Sequence, residues 1–245
     1  MLFEEDRNIE KISETMNVNY FQMQHFITES NWSARELMDQ VARDVSATLP
    51  KRKLTALIID ESGWRKKGKK SVGVARQYCG NAGKVDNCQV AVFASLGNGD
   101  YCSLVDARLY LPEDWCGDPG RCQEAGIPKN ERAFKTKCQL AWEIIEHQSS
   151  LVDFDFVSAD GFYGNDAELA RRIDGAGHLY MLDIHSDQTI YLSRPELHVP
   201  PRKSARGRTP EKLRPTVEGV SARGYLQTLS DGQWEELTVR NTAKG

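Results

Sequence analysis

The chain has 245 residues, 40% of them hydrophobic and 27% charged, with a formal net charge of -3. That length suits one ordinary domain plus a smaller module, and the apolar fraction supplies a core, which excludes a chain disordered throughout. No apolar run approaches the roughly 18 residues needed to span a bilayer. The N-terminus Met1-Leu2-Phe3-Glu4-Glu5-Asp6 also lacks the basic-then-apolar order of a secretory signal, so a cytoplasmic protein with no membrane partner is expected.

Residues 8 to 49 read as helical, with Ile9, Ile12, Met16, Phe21, Met23, Phe26 and Ile27 recurring at helix-like spacing. Ser30 or Asn31 can cap a helix holding Ala34, Leu37, Met38, Val41, Ala42 and Val45, whose spacing predicts one buried face. Such a three-helix module either forms a helix-turn-helix that touches DNA or simply packs on the core, and the second reading is preferred. Leu54-Thr55-Ala56-Leu57-Ile58-Ile59 then reads as a buried strand ending at Asp60, with a turn through Glu61-Ser62-Gly63-Trp64. A second strand is expected over 71–80, a loop over Asn81 to Asn87 and a third strand over Cys88 to Ala94, together an antiparallel meander.

Tyr101 to Tyr110 predicts another strand, 113–130 a glycine- and proline-rich loop, and Phe134 to Gln148 a helix. Phe154 to Ala159 is strand-like, with Phe154, Phe156 and Ser158 on one face and Asp155, Val157 and Ala159 on the other, and it stops at Asp160. A helix over Asp166 to Asp174 and a strand over His178 to Ile184 complete a strand-helix-strand unit, which implies parallel pairing. An aspartate at a strand exit is ordinarily a cap or turn former; Asp60 and Asp160 become catalytic candidates because two apolar strands both end this way.

Charge is unevenly spread. Lys51, Arg52, Lys53, Arg65, Lys66, Lys67, Lys69, Lys70 and Arg76 face only Asp60 and Glu61, and a second basic excess spans Arg194 to Arg223. Such patches are either solvated loops or phosphate contacts, and the first lies directly after a candidate catalytic acid. The six cysteines Cys79, Cys88, Cys102, Cys116, Cys122 and Cys138 include no Cys-x-x-Cys pair, which argues against a zinc site and, in a reducing compartment, against disulfides.

The run Asp60-Glu61-Ser62-Gly63, with Lys67 to Gly80 and Lys84 to Val90, resembles the opening of the catalytic core of bacterial insertion-sequence transposases of the DDE superfamily. The likeness continues through Arg108 to Pro112, Ala125 to Pro128, Phe134 to Lys137 and Ala159-Asp160-Gly161-Phe162-Tyr163-Gly164. It implies an α/β fold with an RNase H-like mixed sheet and flanking helices, preceded by a helical module over 1–50 and followed by the start of a β-rich insertion over 191–245. Within the core, over 51–190, the first and fourth strands would be neighbours, so Asp60 and Asp160 would meet at one metal site. Carboxylate oxygens suit Mg²⁺ or Mn²⁺, and the complete site would hold two ions.

The resemblance further implies a cut-and-paste transposase acting on double-stranded DNA at element ends and target, with Arg65, Lys66, Lys67, Lys69, Lys70, Arg76, Lys135 and Lys137 on phosphates. Tyr163 either stacks on a base or positions a phosphate, or is a packed turn aromatic. Glu61 points to the opposite strand face from Asp60 and reads as a turn or supporting residue; Asp153, Asp155, Asp183 and Asp187 are not promoted. Synapsis of two ends makes a homodimer the expected assembly by analogy, and DNA binding places the protein at the nucleoid.

Transposases of this group carry a third acid, a glutamate, on a helix well beyond the insertion. The sequence here passes through Tyr191-Leu192, a basic linker from Pro200 to Pro215 and strand-like pieces at Gly224 to Leu229 and Trp234 to Arg240, then stops at Gly245. Glu235 and Glu236 fall in a strand-like piece and are not substituted for it. The expectation is a truncated copy with reduced activity, or else an unexpected acid that completes the site. Two rivals are a non-catalytic DNA-binding fragment that modulates a full-length transposase, and a metal-dependent nuclease or phosphatase unrelated to transposition.

Overall fold

The computed structural model describes residues 8–51, 53–202 and 209–234. Three helices come first, α1 (Ile9–Met16), α2 (Tyr20–Thr28) and α3 (Ala34–Thr48). Asn8, Asn19 and Ser33 each start one by accepting a first-turn backbone N–H. The cap of α3 is therefore Ser33, whose hydroxyl reaches Glu36 N at 3.2 Å, and not Ser30 or Asn31. Ala42 is fully buried in the main core with Val45 against it, but Leu37 is 50% exposed, so the expected buried face is confined to the later turns. The first two helices pack on each other, and Phe21, Phe26 and Ile27 remain exposed.

Six strands form the main sheet: β1 (Ala56–Arg65), β2 (Ala75–Cys79), β3 (Lys84–Asn98), β4 (Tyr101–Leu109), β5 (Phe156–Ala159) and β6 (Leu179–Leu182). The strand β1 does not turn after Asp60. It runs on to Arg65 because Ala56 to Arg65 pair antiparallel with Gly97 to Cys88 of β3, and this ladder continues after the apolar side chains give out. Pairing also moves the start of β3 back to Lys84 and shrinks the expected loop to a turn at Gly80 to Gly83.

The expected meander is corrected as well. Cys88 of β3 pairs with Arg65 on one side and Ala75 on the other, so β3 lies between β1 and β2. Its later residues, Ala91 to Asn98, pair with β4 along the edge that β2 uses earlier. Parallel pairing joins β1 to β5 and β5 to β6, as the strand-helix-strand pattern implied. Apart from β2, the order β4-β3-β1-β5-β6 joins three antiparallel strands to two parallel ones, an RNase H-like mixed sheet.

Between β4 and β5 the segment expected to be a loop carries two short helices, α4 (Glu113–Cys116) and α5 (Pro119–Glu124). Asp118 caps α5 and Pro119 opens it, a position where the missing N–H is not needed. Helix α6 (Lys137–Ser149) begins later than Phe134, at a capping box in which Thr136 and Gln139 bond reciprocally. Its Leu140, Ala141, Ile144 and Ile145 cover Leu57, Ile59, Val92 and Val157 in the core. Two further helices, α7 (Gly161–Gly164) and α8 (Ala167–Gly175), lead to β6, with Asp160 capping the first and Asp166 the second.

Beyond β6 are two-residue strands, β7 (Thr189–Ile190) paired with β10 (Val220–Ser221) and β8 (Leu197–His198) with β9 (Arg214–Pro215). The piece expected as strand at Gly224 to Leu229 begins inside helix α9 (Ala222–Leu226), capped by Ser221, and continues as a turn. Lys203, Arg206 and Arg208 of the linker, Arg52, Glu235, Glu236 and the strand-like piece after Trp234 lie outside the described residues. Among the described residues no helix is long and apolar enough to cross a membrane.

Candidate active site

Strands β1 and β5 run parallel with Ile59 opposite Ala159, so Asp60 and Asp160 follow at equivalent positions on neighbouring strands. Alternation keeps Leu57 and Ile59 in the core and turns Asp60 outward. On β5 the strand ends instead, and Asp160 becomes the cap of α7. The Oδ1 atom of Asp60 accepts from Glu61 N at 2.7 Å, and that of Asp160 from Phe162 N at 3.0 Å. Two glycines shape this turn: a Cβ on Gly164 would collide with the Asp183 carbonyl, and one on Gly161 would lie 2.9 Å from the His185 ring.

Burial pushes the Asp60 carboxyl above its usual range, and the nearby Asp160 and Glu61 push in the same direction. The Glu61 N–H and the Lys137 ammonium oppose the shift without cancelling it. A pair of carboxylates at adjacent strand ends is a donor set for a hard divalent cation, so the two residues suit such an ion. No group of three or more His, Cys, Asp or Glu able to hold a metal occurs among the described residues. Next to Asp60 an open groove of about 390 Å³ is lined by Ile58, Ser62, Trp64, Phe93 and Leu104, among others.

The structure separates the remaining site residues into two sets. Arg65, Lys67, Lys69, Lys70 and Arg76 are exposed and Lys66 half-buried, all on or beside the end of β1 and the start of β2. Their loop is held in shape: Asn87 Nδ2 donates to the carbonyls of Lys66 (2.6 Å) and Gly68 (3.0 Å), and Arg121 donates to that of Lys69 (2.8 Å). Lys70 lies 3.5 Å from Glu124 but is 94% exposed, so this pair leaves it accessible.

Lys135, Lys137 and Tyr163 differ. Lys135 pairs with Glu143 at 2.7 Å and Lys137 with Glu61 at 2.7 Å. Tyr163, offered by the sequence either to DNA or to the packing of the turn, is fully buried and donates its hydroxyl to Glu61 at 2.7 Å. Sequence reasoning missed that Glu61, Lys137 and Tyr163 form one cluster. The available signal was a lysine at the first position of α6, directly after its capping residue Thr136, where the helix dipole disfavours a cation.

The family model of the DDE superfamily endonuclease matches residues 1–245. A probable transposase for insertion sequence element IS701 from Microchaete diplosiphon is 30% identical over 179 residues, which is 72% of this chain and 43% of that protein. The chain thus spans less than half the length of that curated relative. A solved structure, the NurA nuclease from Sulfolobus solfataricus, is 13% identical over 71% of this chain and 49% of that one, at a TM-score of 0.24, too low to carry any argument. The match over every residue, together with a mixed sheet that brings Asp60 and Asp160 to adjacent strand ends, places the chain in the DDE superfamily endonuclease family.

Proposed function

We propose that the chain is part of an insertion-sequence transposase in which Asp60 and Asp160 are catalytic residues and metal ligands. The observation that supports this best is their meeting on adjacent parallel strands in a chain that matches the family throughout. Asp60 and Asp160 would hold Mg²⁺ or Mn²⁺, two ions in the complete site, which would supply activation of the attacking oxygen and stabilisation of the leaving oxygen at a phosphodiester. The two carboxylates would hold and orient them. Hydrolysis at an element end frees a 3'-hydroxyl, which then attacks target DNA.

Arg65, Lys66, Lys67, Lys69, Lys70 and Arg76 line the duplex beside the site, holding phosphates without selecting sequence. Lys135 and Lys137 reach the backbone only if they leave their carboxylate partners. In this reading 1–50 is the helical module, 51–190 the catalytic core and 191–245 the linker with the insertion, and two copies pair at synapsis at the nucleoid in the cytoplasm. The alternative, a non-catalytic DNA-binding fragment, is favoured by the lack of a third metal-binding side chain among the described residues.

Nicking of a supercoiled plasmid carrying the element ends, with Mg²⁺ or Mn²⁺, tests the proposal. Weak metal-dependent nicking that disappears in Asp160→Ala is expected, because two carboxylates supply less transition-state stabilisation than three. Nicking that survives loss of both aspartates refutes the catalytic assignment. DNA binding with no nicking in any form, unchanged by Asp60→Ala, selects the binding-only reading.

A further inference from the structure

Strand alternation turns Asp60 and Glu61 to opposite faces of β1; both border the groove, but Asp60 is exposed and Glu61 half-buried. The Glu61 side chain is 21% exposed, and both of its oxygens are engaged. Oε1 receives Lys137 Nζ at 2.7 Å and Oε2 receives the hydroxyl of the fully buried Tyr163 at 2.7 Å. Each partner belongs to the frame of the site. Tyr163 sits in α7, the turn that Asp160 itself caps. Lys137 is the first residue of α6, a place the helix dipole opposes and the Glu61 carboxylate makes favourable, with the Phe162 ring 5.2 Å from its ammonium.

The segment bearing Asp60 and the segment bearing Asp160 are thus cross-linked through one carboxylate that adjoins Asp60. Carboxylates that follow at equivalent ends of paired parallel strands repel when both are charged, which tends to spread β1 from the start of α7. Charge-assisted bonds as short as 2.7 Å resist that spreading. We propose that Glu61, braced by Lys137 and Tyr163, is a positioning residue that sets the separation of Asp60 and Asp160 and so prepares the pair for a divalent cation. This rests on the metal-binding role proposed for the two aspartates.

The test is Mn²⁺ binding to the 245-residue chain, followed by electron paramagnetic resonance of the free ion, with far-UV circular dichroism to verify folding. Tyr163→Phe removes one brace without changing any charge. The double variant Glu61→Gln/Lys137→Gln removes the other with no change in net charge. Each is expected to weaken Mn²⁺ binding about ten-fold, the scale of losses when partners of metal ligands are removed. If one variant does not fold, the other decides; an affinity within about twofold of wild type in a folded variant overturns the positioning role. Asp60→Asn and Asp160→Asn separate the two levels of the argument. If neither alters Mn²⁺ binding, the metal reading fails and the inference with it; if both abolish binding while the Tyr163 and Glu61 variants bind normally, the positioning role alone fails.

Discussion

Asp106 joins helix α3 to the sheet, and its removal has a calculable effect. The carboxylate is fully buried on β4. Oδ1 accepts from Ala107 N at 2.7 Å and lies 2.7 Å from Arg35 Nη1; Oδ2 accepts from the buried Gln148 at 3.1 Å and lies 3.7 Å from Arg108. The Arg35 contact is an ion pair whose N–H is poorly aimed at the oxygen; Nη1 itself is buried, but the side chain as a whole is 32% exposed and keeps Asp39 at 3.6 Å, so it can shift towards water when the acid is gone. Gln148 has no such escape, being fully buried on α6. Breaking a buried pair by removing one partner destabilises by about 3–5 kcal/mol, and the exposure of Arg35 places Asp106→Ala near the lower end, about 3 kcal/mol. At roughly 2–4 °C per kcal/mol for a chain of this size, the midpoint of thermal unfolding should fall by about 6–12 °C. Circular dichroism at 222 nm reads it. A fall under about 2 °C refutes the claim that this carboxylate fastens α3, and a coupling energy near zero in the Arg35→Met/Asp106→Ala cycle refutes the attribution to that pair.

Three other outcomes follow from the same geometry. Since burial and Asp160 raise the folded carboxyl of Asp60, the stability linked to its protonation is full below the unfolded value and lost as pH rises through the folded one. In metal-free buffer Asp60→Asn should therefore melt higher than wild type at pH 7 and equal to it near pH 3; a lower melting point at pH 7 contradicts the repulsion. Gly164→Ala should destabilise by about 2 kcal/mol or more, since the new Cβ meets the rigid carbonyl of Asp183 and not a movable side chain. Urea midpoints measure this, and an unchanged midpoint shows that the turn yields. Burial pushes the Cys138 thiol up to about 12, so iodoacetamide at pH 8 should label the exposed Cys102 well before Cys138, as peptide mass mapping would reveal.

Legibility in the sequence followed how local each determinant is. The stop of β5 at Asp160 was visible because apolar alternation and the break at Gly161 coincide in one stretch. The continuation of β1 past Asp60 was not, because from Glu61 onward it depends on backbone pairing with Val92 to Cys88 and not on apolar side chains. The order of β1, β2 and β3 was misjudged because chain neighbours were assumed to pair, whereas β3 is long enough to serve β1 along one edge and β2 then β4 along the other. In 113–130 the glycines and prolines that signalled loop also fit helix ends, with Pro119 opening α5 after its Asp118 cap. At the site the two aspartates could be read from strand ends. The cluster around Glu61 could not, because it joins residues 76 and 102 positions away. Distance along the chain hides such contacts even when every member is a familiar residue type.

The claim that Asp60 and Asp160 share one metal is tested most directly by loading the chain with Fe²⁺ and adding ascorbate and peroxide, so that radicals cut the backbone wherever the ion sits. The account predicts paired cleavage close to residues 60 and 160, both lost in Asp60→Asn and suppressed by excess Mg²⁺. Cleavage elsewhere, or at these positions but indifferent to Asp60→Asn, would contradict it.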